Sequence, residues 1–267
     1  MSWSLAMSKN IETTGAVIHV LDDGQGDTAL VFLHYWGGSA RTWRHVVAQL
    51  KDRARCVSLD LRGWGRSVAL DGRYDLDAMA GDVSEVIAKM GLTRCILVGH
   101  SMGGKAAQIV AAKGASALVG LVLIAPSPPT GMPVPAGMRE AMLASYQNAE
   151  GVNEALKILC HRQLPEEDRR QVVEDTLRGA AGAKREWTTA GMLARLDGVA
   201  GIGIPTLIAV GDCDHVERAD SLREIYGEIL PAAEFHILPG VGHLSPLEAP
   251  ADIAEACSNL LSAVAAG

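Results

Sequence analysis

The sequence predicts an α/β fold: a mostly parallel sheet with helices on both faces. Three observations predict it. Short apolar runs alternate with longer segments of helical periodicity, the rhythm of strands joined by crossover helices. The inner runs are apolar throughout rather than alternating, as in Ala29-Leu-Val-Phe-Leu33, which requires both sheet faces to be covered. A glycine-flanked serine, Gly99-His-Ser-Met-Gly103, joins one such run directly to a helical pattern.

The first strand expected is Ala16–Val20, part of an early hairpin, and the next is Thr28–Leu33. A helix from Ser39 carries Trp43, Val46, Val47 and Leu50 on one face, followed by a strand at Arg55–Leu59. Asp75 caps a helix bearing Leu76, Met79, Val83, Val86, Ile87 and Met90, and Gly91 ends it. Cys95–Val98 is a central strand, Met102–Ala112 a helix and Leu121–Ile124 a strand. The strand rhythm then stops. Residues 127–203 open with Pro128, Pro129, Pro133 and Pro135, turn helical and charged, and read as an inserted helical cap rather than a separate domain. Residues 1–126 and 204–267 make the core, with strands at Thr206–Val210 and Glu234–Leu238 and a last amphipathic helix over Pro250–Val264.

With 267 residues and 48% hydrophobic side chains, the chain can bury a large core. Its net charge of −7 and lack of a basic cluster argue against nucleic acid and suit a neutral substrate. The five cysteines form no Cys-x-x-Cys pair, and a reducing, cytoplasmic location is the simpler reading. Met1–Asn10 lacks the pattern of a signal peptide, and no apolar run reaches the roughly 18 residues of a membrane span, so no membrane partner is expected.

The chemistry concentrates at Ser101. A serine on a sharp strand-to-helix turn has strained backbone angles, and side chains two positions away would collide there. The turn pushes the hydroxyl out of the sheet, and the following helix directs its N-terminal amides toward developing negative charge. The hydroxyl needs a base. Of eight histidines, His243 lies in the loop beyond the last strand, at the carboxyl edge where Ser101 also lies, with His215 the runner-up. His19 and His236 read as strand residues, and His45 and His161 as helical. The imidazole in turn needs a carboxylate. Asp212 and Asp214 both follow the strand ending at Val210; Asp214 lies farther into the loop, whereas Asp212 suits a bond to the turn backbone. The amides of Met102 and of Trp36, with Tyr35 as alternative, are the candidate oxyanion donors. Tyr35, His34, Trp187 and Met132 are the candidate substrate contacts; Met138, Met142, Leu143, Met192 and Leu193 line the same pocket or bury the cap on the core.

These residues resemble the α/β-hydrolase superfamily over nearly the whole chain. Asp60-Leu-Arg-Gly-Trp-Gly-Arg-Ser67 looks like that family's turn motif, and Pro205–Asp214 and Gly240-x-Gly-His243 resemble its acid and histidine segments. The resemblance implies a sheet of about eight strands under a cap. It is strongest to small esterases, lactonases and cofactor-free perhydrolases or haloperoxidases, where the residue two after the loop histidine supplies the oxyanion amide; here that is Trp36. Most relatives have His-Gly where this chain has His34-Tyr35. Ser101 sets it apart from dehalogenases and epoxide hydrolases of the same fold, which use aspartate. The expectation is a serine hydrolase that needs no metal or organic cofactor and cleaves a small apolar ester or lactone. Carbon–carbon hydrolysis, perhydrolysis and a ligand-receptor role stay open as alternatives, as does association with further copies of the chain.

Overall fold

The computed structural model describes residues 6–266. Residues 1–5, the first half of the segment read for a signal peptide, lie outside them. Nine strands form one sheet: β1 (Met7–Glu12), β2 (Ala16–Asp23), β3 (Ala29–Leu33), β4 (Arg55–Leu59), β5 (Val68–Ala69), β6 (Cys95–His100), β7 (Leu118–Ile124), β8 (Thr206–Gly211) and β9 (Glu234–Leu238). Their order is β1-β2-β4-β3-β6-β7-β8-β9, with β5 beside β2. β1, β2 and β5 pair antiparallel, while β4, β3, β6, β7, β8 and β9 run parallel.

Period-two alternation along the central strands divides the core in two. Val31, Leu33, Leu97, Leu121 and Leu123 face one apolar layer. There they meet α2 (Leu76–Lys89), α3 (Met102–Ala112) and α8 (Ala219–Ile229) through Val83, Val110 and Tyr226. Leu30, Phe32, Ile96, Val98 and Val122 face the other. That layer is closed by α1 (Arg44–Leu50) and α10 (Pro250–Ala266) through Val46, Leu50, Ile253 and Cys257. Burial on both faces explains the continuous apolar runs.

Between β7 and β8 lie α4 (Ala136–Ser145), α5 (Ala149–Leu159), α6 (Glu166–Arg178) and α7 (Ala181–Thr189), with no strand among them. Asn148 caps α5 by accepting from the Gly151 amide at 2.8 Å. α5 then turns Val152 and Leu156 inward. The short α9 (Ser245–Glu248) follows the loop after β9.

The turn after β4 is built around Asp60. Its carboxylate accepts from the amides of Ala40 and Arg66 and from His19 Nδ1 at 2.7–2.9 Å. Gly65 has φ 55°, and a Cβ there would sit 2.2 Å from the Asp60 carboxyl, so the glycine is obligatory. Among the described residues no helix is long and apolar enough to cross a membrane.

Candidate active site

The loops at the carboxyl ends of the parallel strands converge over β6. Ser101 follows that strand with φ 51° and ψ −113°, one of two non-glycine residues with positive φ among those described. Crowding enforces the bend. A Cβ on Gly99 would lie 2.6 Å from the Gly103 carbonyl oxygen, and one on Gly103 would lie 2.4 Å from that of Leu33. The Ser101 amide is spent on the Ile124 carbonyl at 3.0 Å, fixing the turn to β7.

His243 Nε2 stands 3.0 Å from Ser101 Oγ. Its Nδ1 lies 2.8 Å from Asp214 Oδ2. A carboxylate oxygen only accepts, so Nδ1 carries the proton and Nε2 is the free acceptor facing the serine hydroxyl. The other oxygen, Asp214 Oδ1, accepts from the amides of Val216 and Glu217 at 2.7 and 2.9 Å. Those two bonds fix the carboxylate plane. Asp212 points elsewhere, accepting from the Gly240 amide at 2.7 Å.

The histidine loop is held from three directions. His100 Nε2 donates to the His243 carbonyl at 2.8 Å. Burial, with the neighbouring His243 ring second, pushes the pKa of His100 well below the usual histidine range, so it stays neutral. The Leu159 carbonyl, at the end of α5, accepts from the amides of His243 and Leu244 at 2.7 and 3.2 Å. Glu248 Oε2 accepts from the amides of Gly242, His161 and Arg162 at 3.1, 2.8 and 2.7 Å. Arg162 adds bonds to the carbonyls of Pro239 and Gly240, both at 2.9 Å. These contacts place His161 in a bend just past α5, not in the helix expected from its surroundings.

Ser101 and His243 open onto a cavity of about 720 Å³. Tyr35, Trp36, Met132 and Trp187 line it, as do Met138, Met142 and Met192; Leu143 and Leu193 do not. Met102 begins α3, where the first amides of a helix have no partner within it. The Trp36 ring stacks on Tyr146, centroids 3.9 Å apart, and the Tyr146 hydroxyl donates to the Trp36 carbonyl at 3.3 Å. The loop carrying the second candidate amide is therefore packed beneath α4.

His34 is corrected. It is fully buried and does not line the cavity. Both ring nitrogens are used by backbone: Nδ1 donates to the Tyr35 carbonyl at 2.7 Å and Nε2 accepts from the Leu61 amide at 3.0 Å. Burial lowers its pKa to about 4, so a neutral ring bridges the loops after β3 and β4. The sequence reading missed Glu217 and Tyr146 in the cavity wall and Glu248 behind the histidine loop, and it named His215, which also lines the cavity, only as an alternative base. His100 was legible only as an elbow residue. His215 and Glu217 share the stretch Asp214-His-Val-Glu217, and that proximity to the candidate acid was the available signal.

A model described as an alpha/beta hydrolase family matches residues 30–256. A non-heme haloperoxidase of Rhodococcus erythropolis is 30% identical over 248 residues, covering 86% of this chain and 90% of that protein. The non-heme chloroperoxidase CPO-A1 of Kitasatospora aureofaciens is 29% identical over 260 residues, covering 86% and 89%. In fold, an esterase of Exiguobacterium antarcticum matches with a TM-score of 0.87 at 24% identity, covering 97% of this chain and 99% of that one. The match over most of the chain, on a sheet of this order with a serine at this bend, means that the chain belongs to the alpha/beta hydrolase family.

Proposed function

We propose that the chain is a carboxylic ester hydrolase that cleaves a small, largely apolar ester or lactone through an acyl-enzyme. The observation that carries the reading is the unbroken relay of 3.0 and 2.8 Å from Ser101 Oγ through His243 to Asp214, opening on a cavity with mostly apolar walls. In this reading His243 Nε2 takes the Ser101 proton as Oγ attacks the ester carbonyl. The amides of Met102 and Trp36 hold the oxyanion. The protonated imidazole, steadied by Asp214, passes its proton to the leaving alcohol. Water then enters, gives a proton to His243 and attacks the acyl carbon; the acid leaves and Ser101 regains its hydrogen. Every step uses groups of this chain, so the proposal includes no cofactor. The five free thiols support a cytoplasmic setting.

Replacing Ser101 with Ala should lower 4-nitrophenyl acetate turnover by at least about a thousandfold while the fold persists. Turnover at a comparable rate would mean that another nucleophile acts.

The likeness to two non-heme haloperoxidases favours a second reading on the same acyl-enzyme. Hydrogen peroxide would replace water as acyl acceptor and release a peracid. Competing the two acceptors and measuring peracid against carboxylic acid separates the readings. Rapid multiple turnover of either kind excludes a ligand-receptor role.

A further inference from the structure

Glu217 lines the cavity with a carboxyl that no described residue engages. It is 5% exposed, and its Oε1 is enclosed without a hydrogen-bond partner. Its position is fixed, because its own amide donates to Asp214 Oδ1, the carboxylate that also holds His243. Two charged groups act on the carboxyl, Asp214 and Lys105, and neither side chain hydrogen-bonds it. Lys105 lies in α3 one turn beyond Ser101, fully buried, donating to the Met192 carbonyl at 3.2 Å with Trp187 6.0 Å away. Burial, with Asp214 adding to it, lifts the Glu217 pKa well above the usual carboxyl range. The direction of that shift favours the protonated side chain, which presents both an O–H donor and a carbonyl acceptor.

Buried polar groups are almost always paired, and of the two carboxyl oxygens without a partner among the described residues, on Glu217 and Glu248, only that of Glu217 belongs to a residue lining the site cavity, where an entering molecule can supply one. The surrounding wall is apolar, including Met132, Val134 and Val216, so a leucine would pack there without penalty to the core. Those three residues and Glu217 also bound a second, more open cleft of about 720 Å³. Glu217 thus belongs to the lining of both spaces.

We propose that Glu217 is a substrate-recognition subsite that hydrogen-bonds an uncharged oxygen, a ketone, ether or hydroxyl, carried by the ester or lactone in addition to the bond being cleaved. The subsite rests on the hydrolase reading above and narrows its substrate class. A second carboxylate on the substrate is disfavoured, since it would approach the Asp214 charge in the same enclosed space.

The test compares kcat/KM within two matched pairs: phenyl 4-oxopentanoate against phenyl pentanoate, and 2-methoxyethyl acetate against butyl acetate. Each ratio is corrected for the esters' rates in alkali. The wild type should favour the oxygenated member of at least one pair. Glu217→Leu should lower that ratio about tenfold, and Glu217→Gln, which keeps a donor and an acceptor, should retain most of it. Glu217→Leu should also raise the thermal midpoint, because an unpaired buried group has gone; Glu217→Met repeats the test in a second shape should the leucine variant not fold. A ratio unmoved by both apolar variants, or a fall in activity equal for both members of a pair, overturns the subsite. So does a wild type that hydrolyses both pairs without preference, which leaves the hydrolase reading standing. A wild type that turns over none of the four esters removes the hydrolase reading itself.

Discussion

Replacing Glu248 with Gln should loosen the histidine loop without changing the shape of the side chain. Glu248 Oε2 receives three backbone amides, from Gly242 at 3.1 Å, His161 at 2.8 Å and Arg162 at 2.7 Å. Its Oε1 is buried and unpartnered, so a glutamine can keep its carbonyl where the three amides converge and put its amino group in the Oε1 position. What is lost is charge. A hydrogen bond to a charged group contributes roughly 1.5–3 kcal/mol and a neutral one about 1, a difference of about 1 kcal/mol per bond. The Gly242 bond is buried and the other two are half-buried, so the total falls short of three full differences, at about 2–3 kcal/mol. Urea unfolding should read that loss, and the thermal midpoint should drop by about 5 °C. Gly242 precedes His243, and Leu159 next to the anchored bend holds the His243 amide, so the imidazole loses its fixed distance to Ser101. We expect kcat on 4-nitrophenyl acetate to fall about tenfold, with KM changing less. An unfolding free energy within about 0.5 kcal/mol of the wild type, together with unchanged kcat, would refute the claim that this carboxylate positions the base.

Three further outcomes are expected. Gly99→Ala should leave little folded protein, because its Cβ meets backbone at 2.6 Å; soluble yield and circular dichroism check it. Stability should rise with pH between about 4 and 6.5, since the unfolded chain protonates His34 near 6.5 but the fold only near 4. The contribution, about 3 kcal/mol at most, is complete above 6.5 and vanishes as pH falls through 4; His100 acts in the same sense, and His34→Asn should flatten the slope seen in urea titrations at several pH values. Tyr146→Ala removes the ring stacked on Trp36 and should cost about 3 kcal/mol and several-fold in kcat, whereas Tyr146→Phe should stay near wild type because only a long 3.3 Å bond is lost.

The central sheet was legible because both its faces are covered. β4 and α3 begin and end where the apolar run and the elbow place them, and so does the edge strand β9, although only its Leu238 is buried. β1 was not legible: Met7-Ser-Lys-Asn-Ile-Glu12 is an edge strand without a fully buried residue, so it leaves no apolar run. The two-residue β5 is too short to show a period and went unread as well. Within the site, Ser101, Asp214 and His243 could be named because each stands at the end of a recognisable strand. His34 misled because its loop reaches the cavity through Tyr35 and Trp36 while its own ring turns into the core. Glu248 could not be found and Glu217 was signalled only by its nearness to Asp214, because what distinguishes them is the company of distant segments: the wall of Met132 and Val134 for one, the bend at His161 and Arg162 for the other.

The junction between the end of α5 and the loop before α9 has a consequence for how this molecule can be altered. One carbonyl of the helical segment between β7 and β8, that of Leu159, receives two successive amides beside the imidazole. A segment anchored there cannot swing clear as a rigid flap without dragging His243 along. A chimera that borrows the segment between β7 and β8 from a relative will work only if it brings a matching carbonyl and amide partners for Glu248.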